Sequence, residues 1–247
     1  MLAALSRKLI DSLYARSGPE MRLHLANLVS QNSEETTYYR LAKSGFAPDG
    51  YIDVGAYKGD WTRLAHRTLG TRPTLMVEAQ AALIPALHQF AEQQQDLQVA
   101  HAVLAAEGNQ EVTFHEMGTG SSMFAEASDA PRDTVVLTTQ TLDDVANDIL
   151  GKCRNLFLKI DVQGAELEVL GGGSKVLSQA ALVQLETAIL PYNVGAPLMP
   201  ATIKWMADKR WFPTEISGYS RPSGPLVQID LLFAREASPL RPNFFKF

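Results

Sequence analysis

Cysteine is almost missing from this chain. Cys153 is the only one in 247 residues, which rules out an internal disulfide and a cysteine-rich zinc site. That usage fits a cytoplasmic protein. No stretch reaches the roughly 18 consecutive apolar residues of a membrane span. The amino terminus also lacks the apolar core, about 7–15 residues long, of a secretory signal. There is no basic block: 22 Lys and Arg face 27 Asp and Glu, for a net charge of −5 and a pI near 5.6. A nucleic-acid partner is therefore not expected. No internal repeat, low-complexity tract or linker marks a second large domain.

The hydrophobic fraction is 46%, enough to bury one α/β core with additions. Residues 1–45 read as a helical amino-terminal extension, and 46–247 as the main domain. In the first 17, Leu2, Leu5, Leu9, Ile10 and Leu13 mix with Arg7, Lys8 and Arg16. This pattern reads as an amphipathic packing helix in preference to a membrane-surface one. It also offers a contact for a homo-oligomer.

Beyond a loop at Ser44–Gly50, strand-like and helix-like runs alternate. Tyr51–Val54 and Thr74–Glu78 are short apolar strands flanking a helix at Trp61–Leu69. Leu83, Leu87 and Phe90 recur at helical spacing. Leu97–Leu104 reads as a third strand and Val112–His115 as a short fourth. Met117–Pro131 has no apolar period and is expected to be a mobile loop. Val135–Leu137 is a strand, followed by a helix from Asp143 to about Leu150. Leu156–Ile160 is a buried strand, after which Gly164 opens a helix to about Leu177. Leu182–Leu185 is another strand. Ile203, Met206 and Ala207 mark a helix, and Thr214–Ile216 with Val227–Phe233 form a closing hairpin. The pattern implies an α/β, doubly wound, mostly parallel sheet with an antiparallel edge.

Asp53, Glu78, Asp161 and Glu186 each close an apolar strand. In a doubly wound sheet the carboxyl ends of the strands share one crevice, where ligands bind. After Asp53 the turn reads Asp53-Val54-Gly55-Ala56-Tyr57-Lys58-Gly59, an Asp-x-Gly-x-x-x-Gly pattern. It lacks the Gly-x-Gly-x-x-Gly of a pyrophosphate-binding turn and sets a carboxylate where an amino group would sit. Glu78, ending the second strand, has the position of an acid that accepts hydrogen bonds from ribose hydroxyls. Together they describe a pocket for a nucleoside that carries an amine and no pyrophosphate. S-adenosylmethionine is such a molecule.

These residues, and above all Leu158-Lys159-Ile160-Asp161-Val162-Gln163-Gly164-Ala165-Glu166-Leu167-Glu168, resemble the FkbM family of S-adenosylmethionine-dependent methyltransferases. Thr141-Leu142-Asp143-Asp144 and the Ser121-Ser122 loop match the family too, and the likeness covers roughly residues 50–235. The chain departs from it at Tyr57, where the family usually has Asn, at Ala79 (Pro) and at Gln163 (Glu).

The resemblance implies a seven-stranded, Rossmann-like class I methyltransferase sheet. It also implies O-methyl transfer to a hydroxyl of a sugar, glycan, glycolipid or secondary metabolite. By match, Asp53, Gly55 and Gly59 would hold the methionyl part and Glu78, followed by Ala79, the ribose. Val103 and Leu104 would flank the adenine, and Asp161 would lie beside the sulfonium and the incoming hydroxyl. Asp161 is the first candidate for a base, with Glu186 sharing the task or orienting substrate. A metal-free site is preferred, and a carboxylate cluster holding Mg²⁺ is the alternative.

Glu166, in the first turn of its helix, is read either as a helix-dipole charge or as functional. Asp143 is expected to cap the helix it begins, and Tyr192-Asn193 and Tyr219 to lie on the substrate side. The acceptor atom stays open, with N-methylation or protein methylation as an alternative, and so do two other classes. One is an NAD-dependent oxidoreductase, which would need the missing glycine-rich turn. The other is a non-catalytic, cofactor-binding methyltransferase-like module.

Overall fold

Three helices open the chain in the computed structural model, which describes residues 2–222 and 224–241. They are α1 (Leu2–Arg16), α2 (Pro19–Gln31) and α3 (Ser33–Lys43). α2 buries no residue, and Leu9, Ile10 and Leu13 of α1 are 63%, 62% and 61% exposed. Leu9, Ile10 and Leu13, expected to lie on a packing face of α1, are thus not covered by the described residues. α3 behaves differently. Its Tyr38 is fully buried, with the ring edge-on to Phe157 at 5.5 Å and to Trp61 at 6.3 Å. Among the described residues, no helix is long and apolar enough to cross a membrane.

The remaining elements are β1 (Gly50–Val54), α4 (Asp60–Leu69), β2 (Thr74–Glu78), α5 (Ile84–Ala91), β3 (Leu97–His101), β4 (Val103–Leu104), β5 (Glu111–Glu116) and β6 (Asp133–Gln140). They continue with α6 (Leu142–Val145), α7 (Asn147–Lys152), β7 (Leu156–Ile160), α8 (Glu166–Gly171), α9 (Ser174–Gln179), β8 (Ala180–Ala188), α10 (Met199–Asp208), β9 (Trp211–Ser220) and β10 (Gln228–Arg235). Seven strands form the main sheet in the order β3-β2-β1-β7-β8-β10-β9. Pairing is parallel from β3 to β8 and antiparallel at β10 and β9. This is the expected architecture, closing hairpin included. The strand order reverses between β1 and β7, and a crevice opens at such a switch point.

Every residue of β1, β2 and β7 is buried, as a sheet covered on both faces requires. Tyr51, Phe157, Leu182 and Leu232 pack on one face with Tyr38 and Trp61. Ile52, Leu158, Val183 and Leu231 face the opposite way, into the larger core.

Three expected elements differ. The third strand breaks at Ala102, whose N–H donates to the Glu78 carbonyl at 3.0 Å. That bond turns the chain across the end of β2, so β4 joins a separate sheet ordered β4-β6-β5. The long helix expected after Gly164 is two, α8 and α9, because the backbone at Gly172 runs against Ala105. A Cβ on Gly172 would sit 2.4 Å from the Ala105 carbonyl oxygen. The expected 143–150 helix likewise divides into α6 and α7 at Ala146.

The loop expected to be mobile is pinned. Its Ser121 and Ser122 are buried, and isolated strand-like pairs join His115 to Ser122 and Glu126 to Asn193.

Candidate functional site

Strand register lines up the polar residues. Asp53 pairs with Lys159, and Lys159 with Gln184, across β1, β7 and β8. The next row toward the carboxyl ends holds Asp161, just past β7, then Glu186, then Asp230, which pairs with Glu186 across β8 and β10. Side chains on a strand alternate faces. Both rows therefore continue the face carrying Tyr51, Phe157, Leu182 and Leu232. An aromatic floor under α3 and α4 becomes polar as it reaches the crevice.

Lys159 is the cation of this face. Its Nζ lies 3.2 Å from Asp53 Oδ1 and 3.8 Å from Asp161 Oδ2, and it donates to the Gly55 carbonyl at 2.9 Å. Burial pulls its pKa down, but Asp53 and Asp161 outweigh that pull and hold the ammonium above the ordinary lysine value. Asp53 is fully buried, and its Oδ2 accepts from Thr62 Oγ1 at 2.8 Å.

The loop after β1 turns on Gly55, at φ +73. A Cβ there would come within 1.9 Å of the Asp161 carbonyl oxygen, so only glycine lets β1 and β7 end side by side. The N–H groups of Gly55 and Ala56 both donate to the Val77 carbonyl, at 2.9 and 3.0 Å. Tyr57 N–H donates to Glu78 Oε2 at 2.7 Å. These three amides are spent on β2 and leave no cradle for a pyrophosphate, which argues against the dinucleotide reading. Tyr57 itself sits at φ +48, a left-handed conformation that suits Asn far better than a bulky aromatic.

Glu78 is buried, and its Oε1 accepts from Gln80 N–H at 2.9 Å. Oε1 also receives Gln80 Nε2 at 3.3 Å, so of the about four acceptor positions of a carboxylate Glu78 keeps one for a further donor.

Gln163 bridges the two strand-end acids. Its Nε2 donates to Asp161 Oδ1 at 2.9 Å and to Glu186 Oε1 at 2.8 Å. Its carbonyl accepts from Ser122 Oγ at 2.8 Å and Asn193 Nδ2 at 2.6 Å, tying the Ser121-Ser122 segment to the site. Glu186 also accepts from Tyr192 Oη at 3.0 Å and from Gln228 Nε2. Burial first, then Asp161 and Asp230, push the Glu186 carboxyl well above the carboxylate range. Burial and then Asp161 push Asp230 up to about 7.

Glu166 is likewise pushed up to about 7, chiefly by burial. Its Oε1 accepts from Val162 and Gly164 N–H at 3.1 and 3.0 Å, so it braces the turn beside Asp161. Asp143 is a cap, though for α9 and not for the helix it begins: it accepts from Lys175 and Val176 N–H. Tyr219 is exposed and outside the cavity wall.

A cavity of about 270 Å³ runs along these strand ends. Gly55, Glu78, Ala79, Val103, Leu104, Asp161 and Glu186 all line it. Asp53 and Gly59, expected to hold the methionyl part, are not among its lining residues. Lys159 stands between Asp53 and the cavity, and Gly59 (φ +77) precedes α4 with its side-chain position facing Phe90. Among the described residues, no group of three or more His, Cys, Asp or Glu is placed to hold a metal ion.

The FkbM-type methyltransferase domain model matches residues 53–210, from Asp53 on β1 to the end of α10. The chain belongs to the FkbM methyltransferase family. Methyl transfer is thus its reaction class. The fold of this FkbM domain is similar to that of magnesium protoporphyrin IX methyltransferase from Synechocystis PCC 6803, solved with bound S-adenosylmethionine. That match has a TM-score of 0.50 at 12% identity, covering 91% of this chain and 88% of that one. A second solved structure is the 1,6-didemethyltoxoflavin-N1-methyltransferase of Burkholderia thailandensis, with a TM-score of 0.47 at 10% identity, covering 95% and 88%. A comparison with curated protein sequences gives no match.

Two cavity residues escape a reading of strand ends and lie outside the matched segment. Glu34 comes from α3 and Asp230 from the middle of β10. Asp230 had a signal: a lone acid inside the apolar run Ile229-Asp230-Leu231-Leu232, as Lys159 is a lone cation between Leu158 and Ile160. Glu34, in a polar helix start, had none.

Proposed function

We propose that this protein transfers a methyl group from S-adenosylmethionine to a hydroxyl of a sugar, glycan or secondary metabolite. The observation that carries this reading is a cavity with two unlike ends and Asp161 between them. One end combines Glu78 with the apolar walls of Val103, Leu104 and Phe114, and the other gathers Glu186, Gln184 and Asp230. The residues fit the cofactor. Glu78 retains acceptor capacity for a ribose hydroxyl, Val103 and Leu104 offer an apolar wall for adenine, and Gly55 keeps the approach clear of side chains.

When bound, S-adenosylmethionine supplies a methyl group on a sulfonium, open to in-line displacement. The chain's own part is orientation and electrostatics. Lys159 and Gln163 fix Asp161 from two sides. Asp161, partly exposed at the strand end, is placed to accept a hydroxyl proton. Glu186, whose carboxyl burial pushes well above the carboxylate range, serves to orient through the Gln163 amide. Asp53 acts through Lys159 and not by touching ligand.

A labelled-methyl assay against a panel of glycans and small metabolites, with and without EDTA, tests this reading. Expected are transfer to a hydroxyl, no effect of EDTA, and loss of transfer in Asp161→Asn with binding of S-adenosylhomocysteine retained. Binding of NADH in place of S-adenosylhomocysteine would overturn it. So would cofactor binding without transfer to any acceptor, which would favour a non-catalytic module.

A further inference from the structure

The polar end of the cavity holds two acceptor groups that the rest of the chain leaves unused. Glu34 reaches it from α3. Its Oε1 is fixed by Tyr38 Oη at 2.8 Å and Gln184 Nε2 at 2.7 Å, while Oε2 has no hydrogen-bond partner among the described residues. Asp230 faces the same cavity from β10, and its carboxylate likewise has none among the described residues. β9 carries glycine at 218 beside that carboxylate, and a Cβ there would come within 2.2 Å of Asp230 Oδ2. The nearby cation cannot serve either group. Lys159 is already engaged by Asp53, Asp161 and the Gly55 carbonyl. Both half-buried carboxylates open onto one cavity beside Asp161 with acceptor positions to spare, and that pair of free acceptors points to a ligand that brings donors.

We infer that Glu34 and Asp230 bind the methyl acceptor, and that this acceptor carries a hydrogen-bond donor, such as a neighbouring hydroxyl, besides the group that is methylated. This rests on the methyltransfer reading above. It extends the site to two residues outside the matched segment and makes them the determinants of acceptor choice. A polyol meets both acceptors at once. A lone alcohol leaves at least one unpaired, and an unpaired buried acceptor discriminates strongly.

The test compares wild type, Glu34→Gln and Asp230→Asn in methyl transfer to methyl glycopyranosides and inositols. Each polyol is run beside its analogue lacking one hydroxyl and beside cyclohexanol. S-adenosylhomocysteine affinity and thermal stability are measured in parallel. Expected are cofactor affinity within about twofold in all three proteins and a wild-type preference for polyol over cyclohexanol. Each variant should lower that preference at least tenfold, through KM for the polyol. Unchanged selectivity in both variants would overturn the proposal, as would equal losses toward polyol and cyclohexanol, the sign of a merely structural role. Wild type that binds S-adenosylhomocysteine but methylates no polyol also overturns it while leaving the cofactor assignment standing. Failure to bind S-adenosylhomocysteine instead removes the methyltransfer reading itself.

Discussion

Asp53 and Lys159 face each other across the two central strands, 3.2 Å apart and both buried. An acid at the end of the first strand invites the reading that it grips a ligand amine. In the folded chain its charge is spent on a neighbour in the sheet. Removing one partner of a buried pair strands the other, at about 3–5 kcal/mol. Asp53→Asn should therefore lose about 3 kcal/mol of stability in urea denaturation. Adding Lys159→Met to it should recover part of that loss. Wild-type stability with abolished S-adenosylhomocysteine binding in Asp53→Asn would show that Asp53 touches the ligand after all.

Tyr57 occupies a left-handed backbone position at φ +48, where the family's usual Asn is at ease. A bulky residue held there costs about 1–3 kcal/mol. The ring recovers some of this, with Lys58 Nζ 5.1 Å from its centroid. Tyr57→Asn, which relieves the left-handed penalty, is expected to stabilise the protein by about 1 kcal/mol. A denaturation midpoint below wild type would show that the ring's contacts outweigh the strain.

What could be read from the chain and what could not separates along a physical line. Strand ends were legible because an apolar run followed by an acid and a glycine is a local signal, so Glu78, Asp161 and Glu186 were found at the cavity. The side-chain economy around them was not, since the pairing of Asp53 with Lys159 depends on register between strands far apart in sequence. Glu34 is the extreme case. Ser33-Glu34-Glu35 looks like any acidic helix start, and only the docking of Tyr38 between Trp61 and Phe157 carries Glu34 to the site. Breaks in elements were hidden for a related reason: the chain leaves β3 at Ala102 and divides α8 from α9 at Gly172 because of close approach to residues elsewhere.

The amino-terminal helices should separate cleanly on truncation. α2 buries nothing and α1 leaves Leu9, Ile10 and Leu13 exposed, so removing residues 2–31 should shift the melting temperature by no more than about 2 °C, equivalent to under about 1 kcal/mol for a chain of this size. Removing residues 2–43 takes away Tyr38, whose hydroxyl also receives Trp61 Nε1 at 2.5 Å. Loss of one large buried aromatic costs about 3–5 kcal/mol, so this longer truncation should unfold or aggregate. A longer truncation as stable as the shorter one would show that α3 does not complete the aromatic core.

Stability should fall as pH rises through neutrality. Asp230 and Glu166 are each pushed up to about 7, with burial the largest cause in both, and burial raises Glu186 as well. In the unfolded chain these carboxyls titrate at about 4. Between about pH 4 and 7 the folded protein therefore holds protons that the unfolded chain has released, and its stability declines with each step upward in pH. The cost of ionising these buried groups is absent below the unfolded value and complete once the folded value is passed. The melting temperature should accordingly be higher at pH 6 than at pH 8. Asp230→Asn isolates one contributor, because the amide keeps the shape and removes the titration, and no hydrogen bond within the described chain is lost with it. That variant should show a smaller difference between the two pH values than wild type, with its gain concentrated at pH 8. A melting temperature that rises from pH 6 to pH 8, or an undiminished difference in Asp230→Asn, would mean that the carboxylate is ionised in the folded protein and already compensated there.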